Sequence, residues 1–389
     1  MKKDTEVVGL GRKPEENFGI VNPPVYHAST VLFPTVAALK KAIGSPFDVV
    51  YYGRMGTPTS FAFEEAMTKL EGGHRAVSVS SGLAAITVSL LSFLRAGDHL
   101  LMVDTAYNPT RKFCDGVLAG LGVETTYYDP LIGKKIASLI RPNTKVVYLE
   151  SPGSLTFEIQ DVAAVTKAAK KAGVLTMLDN TWATPLFFHA FDHGVDVVIH
   201  AATKYIAGHS DAMLGAIVTA DKERFHAVKT MAVALGDSAG ADELYLGLRG
   251  LRTLAVRLQR HQETGIRLAH WLKSRPEVAR VLHPALPDDQ NHVLWRRDFK
   301  GANGLFGMIL HPVSEKAVAA MLDGMTLFKM GFSWGGYESL ILPVEPWISR
   351  TATLWARSGP YLRLHAGLED VEDLIGDLEQ GFERLNSAA

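Results

Sequence analysis

Three chemically distinct groups stand at the ends of short apolar runs. Lys204 follows "VDVVIHAAT", Asp179 ends "VLTMLD", and Gly82-Leu83-Ala84 follows "AVSVSS". A lysine just past a strand can be partly buried, which lowers its pKa and makes it a nucleophilic amine near neutral pH, as a Schiff base requires. Asp179 can pair with a cationic nitrogen held over a sheet. Gly82 opens a helix whose free N–H groups and dipole suit a phosphate. Each also has an ordinary reading: a lone lysine usually snorkels to solvent, an aspartate caps the next turn of chain, and Ser-Gly is a common capping turn. Taken together, amine, acid and anion seat are what a cofactor with an aldehyde, a pyridine nitrogen and a phosphate requires. Pyridoxal 5′-phosphate (PLP) is that cofactor.

The elements that must position these groups form an alternation that begins near Ser60. Helix-like "FAFEEAMTKLEG" leads to strand-like "RAVSVSS", helix "GLAAITVSLLSFLRA", strand "HLLMVD" and helix-like "NPTRKFCDGVLAGLG". Strands "VETTYYD" and "TKVVYLES", helix "DVAAVTKAAKKAG", strand "VLTMLDN" and then "VDVVIHAATKY" continue it. Short apolar runs separated by helical segments specify an α/β domain with a mainly parallel sheet covered on both faces. Ligands of such sheets bind beyond the carboxyl ends of the strands, where all three groups lie.

The chain divides into an arm over 1–57, an α/β domain over 58–250 and a smaller α+β domain over 251–389. The arm reads as irregular, with one helical pattern, "VAALKKAI", and an expected packing against another subunit. One long helical pattern, "DELYLGLRGLRTLAVRLQRHQETGIRLAHWLKS", links the two domains.

Forty basic and 41 acidic side chains leave a formal charge of -1, so no electrostatic argument favours nucleic acid or an anionic membrane as partner. A small neutral or zwitterionic ligand fits better. The single cysteine, Cys114, excludes an internal disulfide and reads as a half-buried thiol. "MKKDTEVVGLG" carries no apolar leader, and cytoplasmic location is the expectation. Fourteen histidines show neither HExxH nor paired Cys/His spacing, so no metal is expected. His189, His193, His200 and His209 read as core or supporting polar groups.

Beyond these residues, "DNTWATPLFFHAFDHGVDVVIHAATKYIAGHSDAMLG" resembles the cofactor-lysine region of the Cys/Met-metabolism family of fold-type-I PLP enzymes. "YYGRMGTPT", "SSGLAAI", "TAYNPT", "FSWGGYESL" and "YLRLHAGLED" occur in that family's order. The resemblance covers nearly the whole chain and implies an aspartate-aminotransferase-like large domain with a mainly parallel seven-stranded sheet. It implies that Lys204 forms the Schiff base with PLP and shuttles the proton, that Asp179 pairs with the pyridine nitrogen, and that Tyr107 lies over the ring. Gly82, Leu83 and Thr203 match phosphate-side positions, with Leu83 offering only its N–H. Tyr52 and Arg54 match a pair given to a neighbouring subunit's phosphate, which implies a homotetramer built as a dimer of dimers. Arg363 matches the residue that binds the substrate α-carboxylate, and Ser333 and Trp334 line the same pocket. Ala201 departs from the hydroxyl residue that many relatives carry, which removes one phosphate contact or leaves it to other groups.

Within the family, "ESPGS" and Trp334 make the chain most similar to bacterial members that cleave the β carbon–sulfur bond of cystathionine. The implied reaction passes through a Cα carbanion and gives homocysteine, pyruvate and ammonia. The alternatives are γ-synthesis or γ-elimination, broader lyase activity on cystine and other cysteine conjugates, and an inactive homologue that only binds an effector.

Overall fold

In the structure, a computed structural model, residues 2–356 and 359–389 are described. Strands β1 (Arg75–Val79), β2 (His99–Val103), β3 (Glu124–Tyr128), β4 (Thr144–Glu150), β5 (Leu175–Asp179), β6 (Val197–His200) and β7 (Gly215–Thr219) form one sheet. Its order is β1-β7-β6-β5-β4-β2-β3. The pairs from β3 across to β6 are parallel, while β7 runs antiparallel to both β6 and β1. β7 lies outside the expected set of strands: "GAIVT" comes after the last of them, and it reverses direction because a loop, not a helix, joins it to β6. Every residue of β2, β6 and β7 is buried, which is why these strands read as continuous apolar runs.

The helices of this first part are α1 (Lys3–Gly9), α2 (Val36–Ile43), α3 (Pro58–Glu71), α4 (Gly82–Phe93), α5 (Asn108–Phe113), α6 (Val162–Lys171), α7 (Thr184–Phe187) and α8 (Lys222–Leu235). Their starts are encoded locally. Thr57 and Ser60 form a reciprocal capping box at α3, and Ser81, Asp161 and Asp221 accept N–H bonds at α4, α6 and α8. The arm is less irregular than its composition implies, because α1 docks on α3 and Arg252 donates to the Leu10 carbonyl at 2.6 Å.

The expected single long helix is two, α9 (Ala241–Leu251) and α10 (Leu254–Lys273). Neither Gly nor Pro marks the break at Arg252-Thr253. It is fixed by tertiary bonds: Arg252 reaches α1, and the Arg257 guanidinium donates to the carbonyls of Tyr205 and Gly250 at 2.7 and 2.8 Å. The remaining elements are β8 (Val278–Leu282), α11 (His292–Asp298), β9 (Leu305–Leu310), α12 (Glu315–Asp323), β10 (Leu340–Pro343), β11 (Tyr361–His365) and α13 (Val371–Ala388). The four strands make an antiparallel sheet in the order β10-β11-β9-β8, with a core of its own against α10, α12 and α13. No helix among the described residues is long and apolar enough to cross a membrane.

A buried carboxylate latches the segment after β10 to the end of β2. Asp104 accepts the N–H groups of Thr351, Ala352 and Thr353, the hydroxyls of Thr351 and Thr353, and the Arg111 guanidinium. Burial pushes this carboxyl up, but the Thr351 and Thr353 donors and the Arg111 charge outweigh it and hold its pKa below the ordinary value. Removing one partner of such a buried, hydrogen-bonded charge costs on the order of 3–5 kcal/mol. Asp104→Ala is therefore expected to lower the unfolding free energy, read by denaturant titration, by about that amount. A lowered carboxyl pKa adds stability above the unfolded value and loses it as pH falls through the folded one. The gap between wild type and variant should then persist at neutral pH and close below about pH 4.

Candidate active site

The candidate site lies where the carboxyl ends of β4, β5 and β6 meet a loop from the second sheet. β6 ends at His200, and the chain turns through Lys204 before β7. Three contacts hold that turn. The Thr203 hydroxyl donates to the Leu214 carbonyl at 3.2 Å and accepts the Leu214 N–H at 2.8 Å. Arg257 of α10 grips the carbonyl of Tyr205. Gly335, with φ of +85°, packs so closely that a Cβ would lie 2.9 Å from Tyr205 N and 3.0 Å from Lys204 C. Only glycine combines that backbone conformation with that approach.

The Lys204 amine is half-buried. Its Nζ donates to the Ser333 hydroxyl at 2.6 Å and sits 5.4 Å from the centre of the Trp334 ring. The ring face favours an ammonium. Burial and the nearby Arg363 charge oppose it, outweigh the Asp179 carboxylate as well, and bring the amine to about 8. Arg363, on β11, donates to the Ser333 carbonyl at 2.9 Å and is itself drawn down to about 10 by burial. It stays charged at neutral pH, with a fork geometry suited to a carboxylate.

Asp179 ends β5 opposite Glu150, which ends β4. Thr181 gives its N–H to Asp179 at 2.9 Å and accepts the Ala201 N–H at 2.8 Å, so this residue ties the β5 carboxylate to the Lys204 turn. Burial raises the Asp179 pKa, the effect that a cationic nitrogen alongside it would reverse. Glu150 accepts the Tyr107 N–H at 2.8 Å and fixes the start of α5. Tyr107 is 45% exposed. Burial, Glu150 and Asp179 keep its phenol above the usual pKa, hence protonated.

At α4, Ser81 caps the Ala84 N–H, and the helix leaves the N–H groups of Gly82 and Leu83 unclaimed. A Cβ on Gly82 would lie 2.4 Å from the Ala201 methyl. The position missing a hydroxyl is therefore in contact with the helix start.

The structure thus brings together Lys204, Asp179, Tyr107, Arg363, Ser333, Trp334 and, through Ala201, Gly82 and Leu83. It does not bring Tyr52 and Arg54 there. They line a separate cavity of about 390 Å³ with Tyr26, Ser78, Lys229 and Asp237, and Arg54 donates to the Val233 carbonyl. Thr203 is beside Lys204, but both its N–H and its hydroxyl proton go to Leu214. Among the histidines, His200 is buried against Glu71 at 2.7 Å, His193 stacks on Phe188, and His209 bonds the Ala207 carbonyl. Cys114 is fully buried, more so than expected, and burial pushes its thiol up to about 12. No cluster of three or more His, Cys, Asp or Glu able to hold a metal occurs among the described residues.

Sequence reasoning missed Glu150, Thr181, Arg257 and His365. Glu150 carried a signal, a carboxylate ending an apolar strand beside Asp179's strand; the others act through partners distant in sequence. An amine near a carboxylate, with free helix N–H groups across a glycine–alanine contact, is a donor set that fits PLP.

A profile of the Cys/Met metabolism PLP-dependent enzymes matches residues 4–383. Cystathionine beta-lyase MetC of Escherichia coli is 45% identical over 393 residues, covering 99% of this chain and 99% of the relative. The L-alanine/L-glutamate racemase of Wolbachia pipientis is 41% identical over 397 residues, covering 99% and 98%. Among solved structures, cystathionine gamma synthase from Xanthomonas oryzae in complex with aminoacrylate and cysteine matches with a TM-score of 0.92, at 32% identity over 100% of both chains.

An amine with a pKa of about 8 is roughly one-tenth neutral at pH 7, against roughly one part in 2,500 for an ordinary lysine. Labelling of Lys204 in cofactor-stripped protein, measured by peptide mass spectrometry, is therefore expected to level off above about pH 8. A rate still rising tenfold per unit to pH 10 would contradict this environment.

Proposed function

The chain belongs to the Cys/Met metabolism PLP-dependent enzyme family, and from that premise we propose that it cleaves the Cβ–S bond of L-cystathionine, giving homocysteine, pyruvate and ammonia. The observation that carries this reading is the arrangement of Lys204, Ser333, Trp334 and Arg363 in one site, in a chain 45% identical end to end to a cystathionine beta-lyase.

Bound through its aldehyde to the Lys204 amine, PLP supplies an electron sink that stabilises negative charge at Cα. The protein's residues do the rest. Arg363 takes the substrate carboxylate in two parallel hydrogen bonds and so fixes which Cα bond faces Lys204. The Lys204 Nζ, released when the substrate amine takes its place, removes the Cα proton; its modest basicity suits transfer in both directions. The same amine then protonates the departing sulfur. Tyr107, kept protonated by burial and its carboxylate neighbours, would cover the reacting plane and exclude water. Asp179 would hold the pyridine nitrogen, and the N–H groups of Gly82 and Leu83 would hold the phosphate. Ser333 and the Trp334 ring bound the pocket beside Cβ. Thr203 acts here as the support of the Lys204 turn.

The arm supplies the rest of the site in an oligomer. Phe18, Leu32 and Val36 are 100%, 89% and 69% exposed, an apolar surface that a second copy would cover. Tyr52 and Arg54 then serve the partner's phosphate, and the assembly is a tetramer of paired sites. The mass in solution is expected to be four times that of the chain; a fully active monomer would contradict this arrangement.

Racemisation is the second reading, favoured by the 41% identity to an alanine/glutamate racemase. It needs the same Cα proton transfer without loss of sulfur. Incubation with L-cystathionine and identification of the keto acid separates the outcomes: pyruvate supports β-cleavage, 2-oxobutyrate means γ-elimination, and D-amino acid without keto acid means racemisation. Arg363→Ala is expected to raise KM for the amino acid by about 100-fold or more, the loss of a charge-assisted bond of roughly 3 kcal/mol. An unchanged KM would remove Arg363 from carboxylate binding.

A further inference from the structure

Beneath the Lys204 turn lie three buried rings, Tyr205, His261 and His365, that the chemistry above does not use. Tyr205, next to the lysine, packs on His261, Trp334 and His365 at centroid distances of 5.1, 5.4 and 6.0 Å, and the two imidazoles are 5.2 Å apart. His365 sits on β11 two residues beyond Arg363 and is 1% exposed. Its Nε2 receives the Gly335 N–H at 3.0 Å, so that nitrogen carries no proton. The proton is on Nδ1, which donates to the Glu338 carbonyl at 3.1 Å.

One imidazole thus grips both limbs of the loop 333–338. That loop cannot relax far: Ser333 has a φ of +80° without being glycine, and Gly335 presses on the Lys204 backbone. Ser333 holds the amine through its hydroxyl and Arg363 through its carbonyl. An unpaired Gly335 N–H buried at this point would free the loop to seek another partner and carry Ser333 with it.

We propose that His365 is a positioning residue: as a neutral imidazole that accepts the Gly335 N–H, it sets Ser333 against Lys204 and Arg363. The groups facing it agree with that state. His261 on α10, Arg363 on its own strand and Lys204 all disfavour a proton on the ring, and the Glu338 carbonyl favours one. Burial acts in the same direction and keeps His365 well below the ordinary histidine range. His365 therefore does not titrate during catalysis; it acts as a fixed acceptor.

The test uses the PLP-loaded enzyme with His365→Leu, which removes the acceptor, and His365→Gln, which places an amide oxygen near the former Nε2. The first readout is the pH titration of the visible cofactor–lysine band without substrate, and the second is kcat/KM for cystathionine. The leucine variant is expected to shift the band's titration by about one unit, as Ser333 leaves Lys204, and to lower kcat/KM about 10- to 100-fold. The glutamine variant should keep the titration midpoint and retain kcat/KM within about threefold. A leucine variant with the wild-type midpoint and rate, or a glutamine variant shifted as far as leucine, overturns the proposal. If leucine does not fold, the glutamine midpoint alone decides: unshifted supports, shifted overturns. The activity readout rests on the β-lyase reading, whereas the substrate-free titration does not. A wild type that makes no pyruvate would sink that reading and leave the role of His365 to be decided by the band.

Discussion

A primary amine has to be kept far easier to deprotonate than an ordinary lysine, beside a carboxylate and within reach of a small substrate, and the rest of the site is built around that constraint. Full hydration would return Lys204 to the pKa of an ordinary lysine, so the turn is half-buried. Arg363 adds a second positive charge that lowers the amine further, and in the proposed function the same residue is the partner of the substrate carboxylate. On that proposal the two effects are linked: the guanidinium proposed to recognise the substrate also makes the Lys204 amine easier to deprotonate. Asp179 works in the opposite sense on the amine, which leaves it near 8 instead of lower.

The fold meets this constraint by confronting two sheets. The parallel strands deliver Asp179 and the Lys204 turn to one edge, as their topology requires. The antiparallel sheet delivers Arg363, and the loop 333–338 reaches across to touch the lysine through Ser333, Trp334 and Gly335. Neither sheet alone contains a site. The Asp104 latch, the Arg350–Glu158 pair at 3.0 Å and the bond from the Trp182 indole to the Leu305 carbonyl at 3.1 Å hold the two parts in register. Small relative movements would separate Lys204 from Arg363, so these contacts support the arrangement without touching it.

Much of this arrangement was legible in the chain because strand ends announce themselves. Asp179, Gly82 and Lys204 each follow a short apolar run, and their functional types stand out against small neighbours. Arg363, Ser333, Trp334, Tyr52 and Arg54 were legible only through resemblance, since nothing local distinguishes them from ordinary strand and loop residues. What stayed hidden depends on partners far along the chain. The break between α9 and α10 has no breaker residue; Arg252 and Arg257 set it by reaching loops on other elements. His365 looks like one more alternating residue of β11 until Gly335, 30 positions away, donates to it. Thr203 shows the converse: its place in the motif suggested a phosphate contact, while its protons are spent on Leu214.

The central claim is that the half-buried Lys204, among the chain's lysines, is the amine that carries the cofactor. Borohydride reduction of the PLP-loaded protein, with peptide mapping of the product, tests it directly. The account predicts a single phosphopyridoxyl adduct on the peptide containing Lys204 and none elsewhere; reduction that leaves that peptide unmodified while marking another lysine would contradict it.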